Sequence, residues 1–273
     1  ESSLITAIAL WRDQIIVASD DNLIRAYTRE GRFCRVLKGH DSGVWALALS
    51  GDTLISASAD ATARAWDLNT GTCLHVFHKH TSTVRCVAVT DSLVVTGSRD
   101  GSLHVWRIPK AGEHLNESTS TASGDDLYHK YCLAGHSDSV RSLSAVGTVA
   151  ASGSYDRTVR VWDLTSGECR ALLEGHTDKV YQAIINPARC NEIYSSSMDH
   201  SVRIWDATTG SCMHVLTEHR SIVPMLTIVG GRAQLVSGDA EGVLCVWDAA
   251  SGTLVRKYDE HGGSAITALQ SDD

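Results

Sequence analysis

Serine, histidine and aspartate, the side chains of a nucleophilic relay, recur in this chain at fixed distances from a tryptophan. Counting back from the aromatic, a hydroxyl stands ten residues before it at Ser56, Thr96, Ser152, Ser195 and Ser237. An acid stands six residues before it at Asp21, Asp60, Asp100, Asp156 and Asp199, with Glu241 in the sixth case. His40, His80, His136, His176 and His219 precede the tryptophans by about 26 residues, and His261 begins the interval again. One such Ser-His-Asp set would point to acyl transfer. A catalytic set has no reason to occur in nearly every interval, so this one reads as a brace. A buried Asp must be paired, and His, hydroxyl and indole N–H can complete one buried hydrogen-bond chain with it.

The aromatics themselves, Tyr27, Trp66, Trp106, Trp162, Trp205 and Trp247, are spaced by 39, 40, 56, 43 and 42 residues. A period near 40 carrying Gly-His and Trp-Asp marks units that each form a four-stranded antiparallel sheet. One such sheet cannot bury both faces, so the units are expected to stack as an all-β propeller. Six complete blades are read at about 4–39, 40–79, 80–135, 136–175, 176–218 and 219–260, within one domain over 1–273. Residues 261–273 begin a seventh blade. Blade four is the clearest: strands over Val140 to Ala145, Thr148 to Ser154, Thr158 to Asp163 and Cys169 to Leu173, from period-two alternation rich in Val, Thr and Trp. The long spacing holds an insertion at 109–126, polar and low in complexity.

Composition limits the function classes. A net charge of −8 argues against nucleic acid or an anionic membrane as a partner. No apolar run approaches 18 residues, and Glu1-Ser2-Ser3 leads into a strand with no secretory signal in view. Among 8 cysteines there is no CxxC pair, and Cys34, Cys73, Cys169 and Cys212 each follow the aromatic by seven. That recurrent slot is expected to be a small buried hydrophobe, without disulfides or metal. No cofactor motif is present, and the chain is not read as an enzyme.

Against a repeating frame, departures carry the information. The residue after the first hydrophobe of each inner strand runs Thr6, Trp45, Arg85, Arg141, Tyr181, Pro224. The residue before the turn acid runs Asp20, Ala59, Arg99, Tyr155, Met198, Ala240. Both columns are expected to open on one rim, where Arg85, Arg99 and Arg141 would repel one another unless an anion lies among them. The planar guanidinium fork suits phosphate oxygens, and Trp45, Tyr155 and Tyr181 suit a peptide better than a free ion. A second class stays open: a general WD-repeat scaffold in which loop acids neutralise these arginines.

The ordered series Gly43-Val44-Trp45-Ala46-Leu47, Thr81-Ser82-Thr83-Val84-Arg85-Cys86, Gly97-Ser98-Arg99-Asp100, Leu103-His104-Val105-Trp106 and Gly153-Ser154-Tyr155-Asp156 resembles a known family. It is similar to the cell-division-control branch of F-box/WD-repeat proteins, substrate receptors of SCF ubiquitin ligases. The resemblance runs through all the repeats, and the insertion after Pro109-Lys110 falls where fungal members carry one. It implies a phosphothreonine-proline degron held on the mouth of the ring, with Arg85, Arg99 and Arg141 on the phosphate. Trp45 and Thr83 would wall a proline pocket, and Tyr155 would contact the peptide. It also implies phosphorylated protein substrates, SCF components as partners, and a nuclear location, with the cytoplasm as alternative. Two alanines depart from the family pattern: Ala61 stands where another Arg is usual, and Ala59 where Thr is frequent. No F-box is present, and the family's eight blades make this chain read as a fragment.

Overall fold

The computed structural model describes residues 3–110, 127–229, 234–259, 264–266 and 269. The chain forms two compact units, Glu1–Ala134 and Gly135–Asp273. In the first, three antiparallel sheets follow in chain order. They are β1 to β4 (Ile5–Trp11, Gln14–Ser19, Ile24–Thr28, Phe33–Leu37), β5 to β8 (Val44–Ser50, Thr53–Ser58, Ala63–Asp67, Thr72–Phe77) and β9 to β12 (Val84–Val89, Leu93–Ser98, Leu103–Arg107, His129–Leu133). The second unit holds β13 to β16 (Val140–Val146, Val149–Ser154, Val159–Asp163, Cys169–Leu173), β17 to β20 (Val180–Asn186, Arg189–Ser197, Val202–Asp206, Ser211–Leu216) and β21 to β24 (Met225–Val229, Gln234–Gly238, Leu244–Asp248, Thr253–Tyr258). Each sheet is a four-stranded meander, so the all-β blade class read from the sequence is what the chain forms. Of the next repeat, Ile266 is buried against Gly238, and its N–H donates to the Asp239 carbonyl at 3.1 Å. His261 and insertion residues 111–126 lie outside the described residues.

Within each unit the alternation buries apolar residues between successive sheets, whereas Ile5, Ile8 and Leu10 of β1 are exposed. Second strands such as β6, β10 and β14 are buried along their whole length, as expected of a strand covered on both sides. Trp66, Trp106, Trp162, Trp205 and Trp247 are nearly or fully buried. Beneath each, the third-to-fourth strand ladder slips, as between Ala65 and Trp66 or Val161 and Trp162. That slip sets the cysteine slot. Cys34, Cys73 and Cys169 are exposed and Cys212 is half-buried, so these cysteines are not the small core residues expected. The fourth strand is the sheet edge, and only its last residue (Leu37, Phe77, Leu133, Leu173, Leu216) turns fully into the core. All eight cysteines are free thiols, with Cys86 and Cys245 the buried ones.

Glycine and arginine sizes are matched across each blade. A Cβ on Gly39, Gly135 or Gly175 would lie 2.6, 2.8 or 2.7 Å from a guanidinium nitrogen of Arg64, Arg160 or Arg203. Where the glycine gives way to Lys79 or Glu218, the partner strand carries the smaller His104 or Cys245. The glycine of Gly-His is therefore space for an arginine, and it disappears with the arginine.

Candidate functional site

The hydrogen-bond chain expected from the spacing is formed in four sheets, and in a fifth with a different acid. In blade four, Asp156 Oδ2 lies 2.8 Å from His136 Nδ1, His136 Nε2 lies 2.7 Å from Ser152 Oγ, and Trp162 Nε1–H donates to that Oγ at 2.8 Å. With Asp156 ionised, His136 donates through Nδ1–H, its Nε2 accepts from the serine, and the serine oxygen accepts from the indole. Every polar atom has a partner. The same chain joins Asp60, His40, Ser56 and Trp66; Asp100, His80, Thr96 and Trp106; and Asp199, His176, Ser195 and Trp205. Burial alone would push these carboxyls up. Hydrogen bonds from the histidine, a neighbouring hydroxyl and backbone N–H groups outweigh it and hold Asp60, Asp100, Asp156 and Asp199 well below the usual carboxylate range. Burial pulls His176 and His219 below the usual imidazole value against the pull of their aspartates.

Blade six corrects the spacing rule. Glu241 is not the brace acid: Asp239 Oδ2 lies 2.9 Å from His219 Nδ1, and its side chain is fully buried. Asp239 occupies the strand end where Ser58, Ser98, Ser154 and Ser197 stand in other blades, so the carboxylate reaches the same histidine from two residues earlier. Blade one ties Asp21 to Arg25 at 2.6 Å. That guanidinium holds the Asp21 carboxyl well below its usual range.

The rim column has a structural cause that composition does not reveal. The ladder between first and second strands slips between Ile5 and Ala7, Val44 and Ala46, Val140 and Ser142, and Val180 and Gln182, and opposite Val84 and Cys86. Thr6, Trp45, Arg85, Arg141 and Tyr181 are thus the extra residues of five β-bulges, a device that re-aims a side chain out of its strand. Blade six has no such slip, and Pro224, which has no N–H, precedes its first strand.

In the first unit the bulges of β5 and β9 bring Trp45 and Arg85 together, the guanidinium carbon lying 4.2 Å from the indole centroid. Arg99 is exposed, and its backbone N–H donates to the Thr83 carbonyl at 2.9 Å. Ala59 makes the same bond to Gly43, and Ala61 beside it holds a left-handed φ of 65°. In the second unit Arg141 lies over the ring of Tyr181 at 5.7 Å, and Tyr181 meets Tyr155 edge-on at 6.0 Å. Lys179, which the sequence reading did not single out, sits 4.9 Å over the other ring, Tyr155. Among the described residues Arg141 and Lys179 form no ion pair with a carboxylate, and the neighbouring Asp138 and Asp178 accept instead from the next backbone N–H of their own loops. Each unit therefore presents a cation lying on an aromatic face. Among the described residues no group of three or more His, Cys, Asp or Glu is placed to hold a metal ion.

Comparison with known proteins agrees with this architecture. The family described as "WD domain, G-beta repeat" matches residues 31–67, 71–107, 128–163 and 167–206, more than half of the chain. The chain belongs to the WD-repeat family. Cell division control protein 4 of Saccharomyces cerevisiae is 36% identical over 302 residues, covering all of this chain and 39% of the relative. WD repeat-containing protein pop2 of Schizosaccharomyces pombe is 34% identical over 207 residues, covering 68% of this chain and 29% of the relative. The chain thus spans less than two fifths of the length of either. Among solved structures, the computationally designed Ika8 protein superposes with a TM-score of 0.85 at 29% identity, covering all of this chain and 79% of that one.

Proposed function

We propose that this chain is the substrate-recognition part of an SCF-type E3 ubiquitin ligase and binds phosphothreonine-proline degrons. The observation that carries this reading is the pairing of rim arginines with aromatics at bulges of the inner strands, Arg85 with Trp45 and Arg141 with Tyr181, in a chain of net charge −8. Such a rim favours an anion presented on a peptide over a free ion, and the acidic remainder discourages indiscriminate anion binding. Likeness over the whole chain to cell division control protein 4 supports the same reading. Arg85, Arg99 and Arg141 take the phosphate, Trp45 and Thr83 flank the following proline, and Tyr155 and Tyr181 contact the peptide backbone and side chains. The F-box that recruits the ligase, and a nuclear place of action, belong to the same proposal. Titration with one phosphothreonine-proline peptide in phosphorylated and unphosphorylated form tests it. Micromolar or tighter binding of the first alone is expected; equal affinity for both would sink the proposal.

A further inference from the structure

We infer that Trp45 is a positioning residue for Arg85, acting on the phosphate through the guanidinium and not only as a wall for the peptide. The inference deepens the phosphate reading of the rim and rests on it. Trp45 and Arg85 are the bulge residues of successive inner strands, β5 and β9, and both are half-buried. The guanidinium carbon lies 4.2 Å from the indole centroid, within the range of a direct cation–π contact. An arginine side chain has many rotamers to lose when it grips an anion. A ring face against its planar end removes some of that freedom beforehand. The occupied face of the indole is, by the same geometry, closed to a proline.

The second unit repeats the arrangement with the order of residues reversed. Arg141 leaves the bulge of β13, and the ring it covers, Tyr181, leaves the bulge of β17. Two independent instances at equivalent strand positions, one with indole and one with phenol, favour a positioning role over a chance contact. The distances differ, 4.2 Å against 5.7 Å, so Trp45 is the ring from which the larger effect is expected.

Two phosphothreonine peptides, one followed by proline and one by alanine, separate the roles. Trp45→Ala is expected to weaken the alanine peptide by about tenfold and the proline peptide by at least as much. In an Arg85→Ala background, Trp45→Ala should cost less than about twofold, because contacting residues couple in a double-mutant cycle. Trp45→Tyr, which keeps a ring face, should recover most of the loss, whereas Trp45→Leu, which keeps apolar bulk alone, should not; thermal unfolding of each variant checks that it folds. Loss confined to the proline peptide, or equal factors with and without Arg85, overturns the positioning role and leaves the phosphate reading standing. If the unaltered protein binds phosphorylated and unphosphorylated peptides alike, the phosphate reading fails and this inference fails with it.

Discussion

Two sets of side chains recur, each in five of the six sheets, and the repeat treats them in opposite ways. The brace of Asp156, His136, Ser152 and Trp162 is buried, fully hydrogen-bonded and reproduced in four other sheets with distances within a few tenths of an ångström. The rim residues share one backbone device, the bulge, but not one side chain: Thr6, Trp45, Arg85, Arg141 and Tyr181 follow in order. A group repeated unchanged is answering a demand made by every blade, namely closing its own sheet. A position whose geometry is kept while its chemistry varies is answering something that meets the blades unequally. On the proposed function, the ligand would meet the chain where backbone repeats and side chains do not.

The largest effect should come from breaking the brace. Ser152→Ala leaves the Trp162 indole N–H and the lone pair of His136 Nε2 buried without partners, each costing about 1–3 kcal/mol. A loss of roughly 2–5 kcal/mol in urea unfolding is expected, with phosphopeptide affinity unchanged for the fraction that remains folded. A loss under about 0.5 kcal/mol would mean that the set is not a brace.

The rim should respond the other way round. Arg85→Ala is expected to cost roughly 2–4 kcal/mol of phosphopeptide binding, the scale for losing one partner of a desolvated charge pair. Arg64→Ala serves as the control, since its guanidinium packs against Gly39 beside Trp66 and its residue is not one of the bulge residues. It should lower stability by about 1 kcal/mol through lost packing and change affinity by under about 0.5 kcal/mol. Equal affinity losses from the two would show that folding, not recognition, is being measured.

Acid should reach the brace by a route the rim arginines do not share. His176 and His219 are held neutral by burial, so the unfolded chain takes up protons that the fold refuses as pH drops below about 6.5. His104, pulled down to about 3 by burial and by the nearby His80 and His129, adds to the same loss. The brace aspartates, held low, contribute fully above about pH 4 and lose that contribution only as pH falls further. The melting temperature should therefore fall between pH 7 and pH 5 and again below pH 4. Arginines do not titrate there, so affinity at pH 5 to 7 should follow the phosphate alone, whose second pKa is about 6. A melting temperature flat from pH 7 to pH 5 would remove the neutral-histidine account.

What was legible in the sequence divides along the same line. Ser152, His136 and Trp162 could be placed because their spacing is the signature of a four-stranded unit, and the strands of blade four fall within a residue or two of where alternation put them. Asp239 escaped because a count back from Trp247 lands on Glu241. The signal was the string Ser237-Gly238-Asp239, in which an acid replaces the serine of Ser152-Gly153-Ser154. The cysteines escaped because a recurrent small residue looks alike on a core face and on a sheet edge, and only the ladder slip beneath the tryptophan decides between them. The bulges left no mark in residue type, since Thr, Trp, Arg and Tyr all tolerate them, so the stacking of Arg85 on Trp45 needed coordinates. Lys179 was passed over because it stands one residue before the hydrophobe that opens its strand, outside both columns.

The smallest effect, and the finest test of the comparison, is Ala61→Arg. Ala61 holds a left-handed φ of 65°, a conformation that costs an L-residue about 1–2 kcal/mol, and Ala already bears that cost. The equivalent slot of blade four holds Arg157 at a φ of 74° with an exposed side chain, so the backbone of this turn accommodates an arginine. Stability should therefore change by under about 0.5 kcal/mol. If the slot faces the anion proposed for Arg85 and Arg99, the added charge should strengthen phosphopeptide binding by up to about 1 kcal/mol, the range of an exposed ion pair. The gain should shrink as salt rises from about 0.05 M to 0.5 M, because screening acts on exposed charges first. An affinity that does not move, with salt or without, would restrict the charged part of the rim to the inner-strand bulges and Arg99, and would make Ala61 part of the frame rather than of the site.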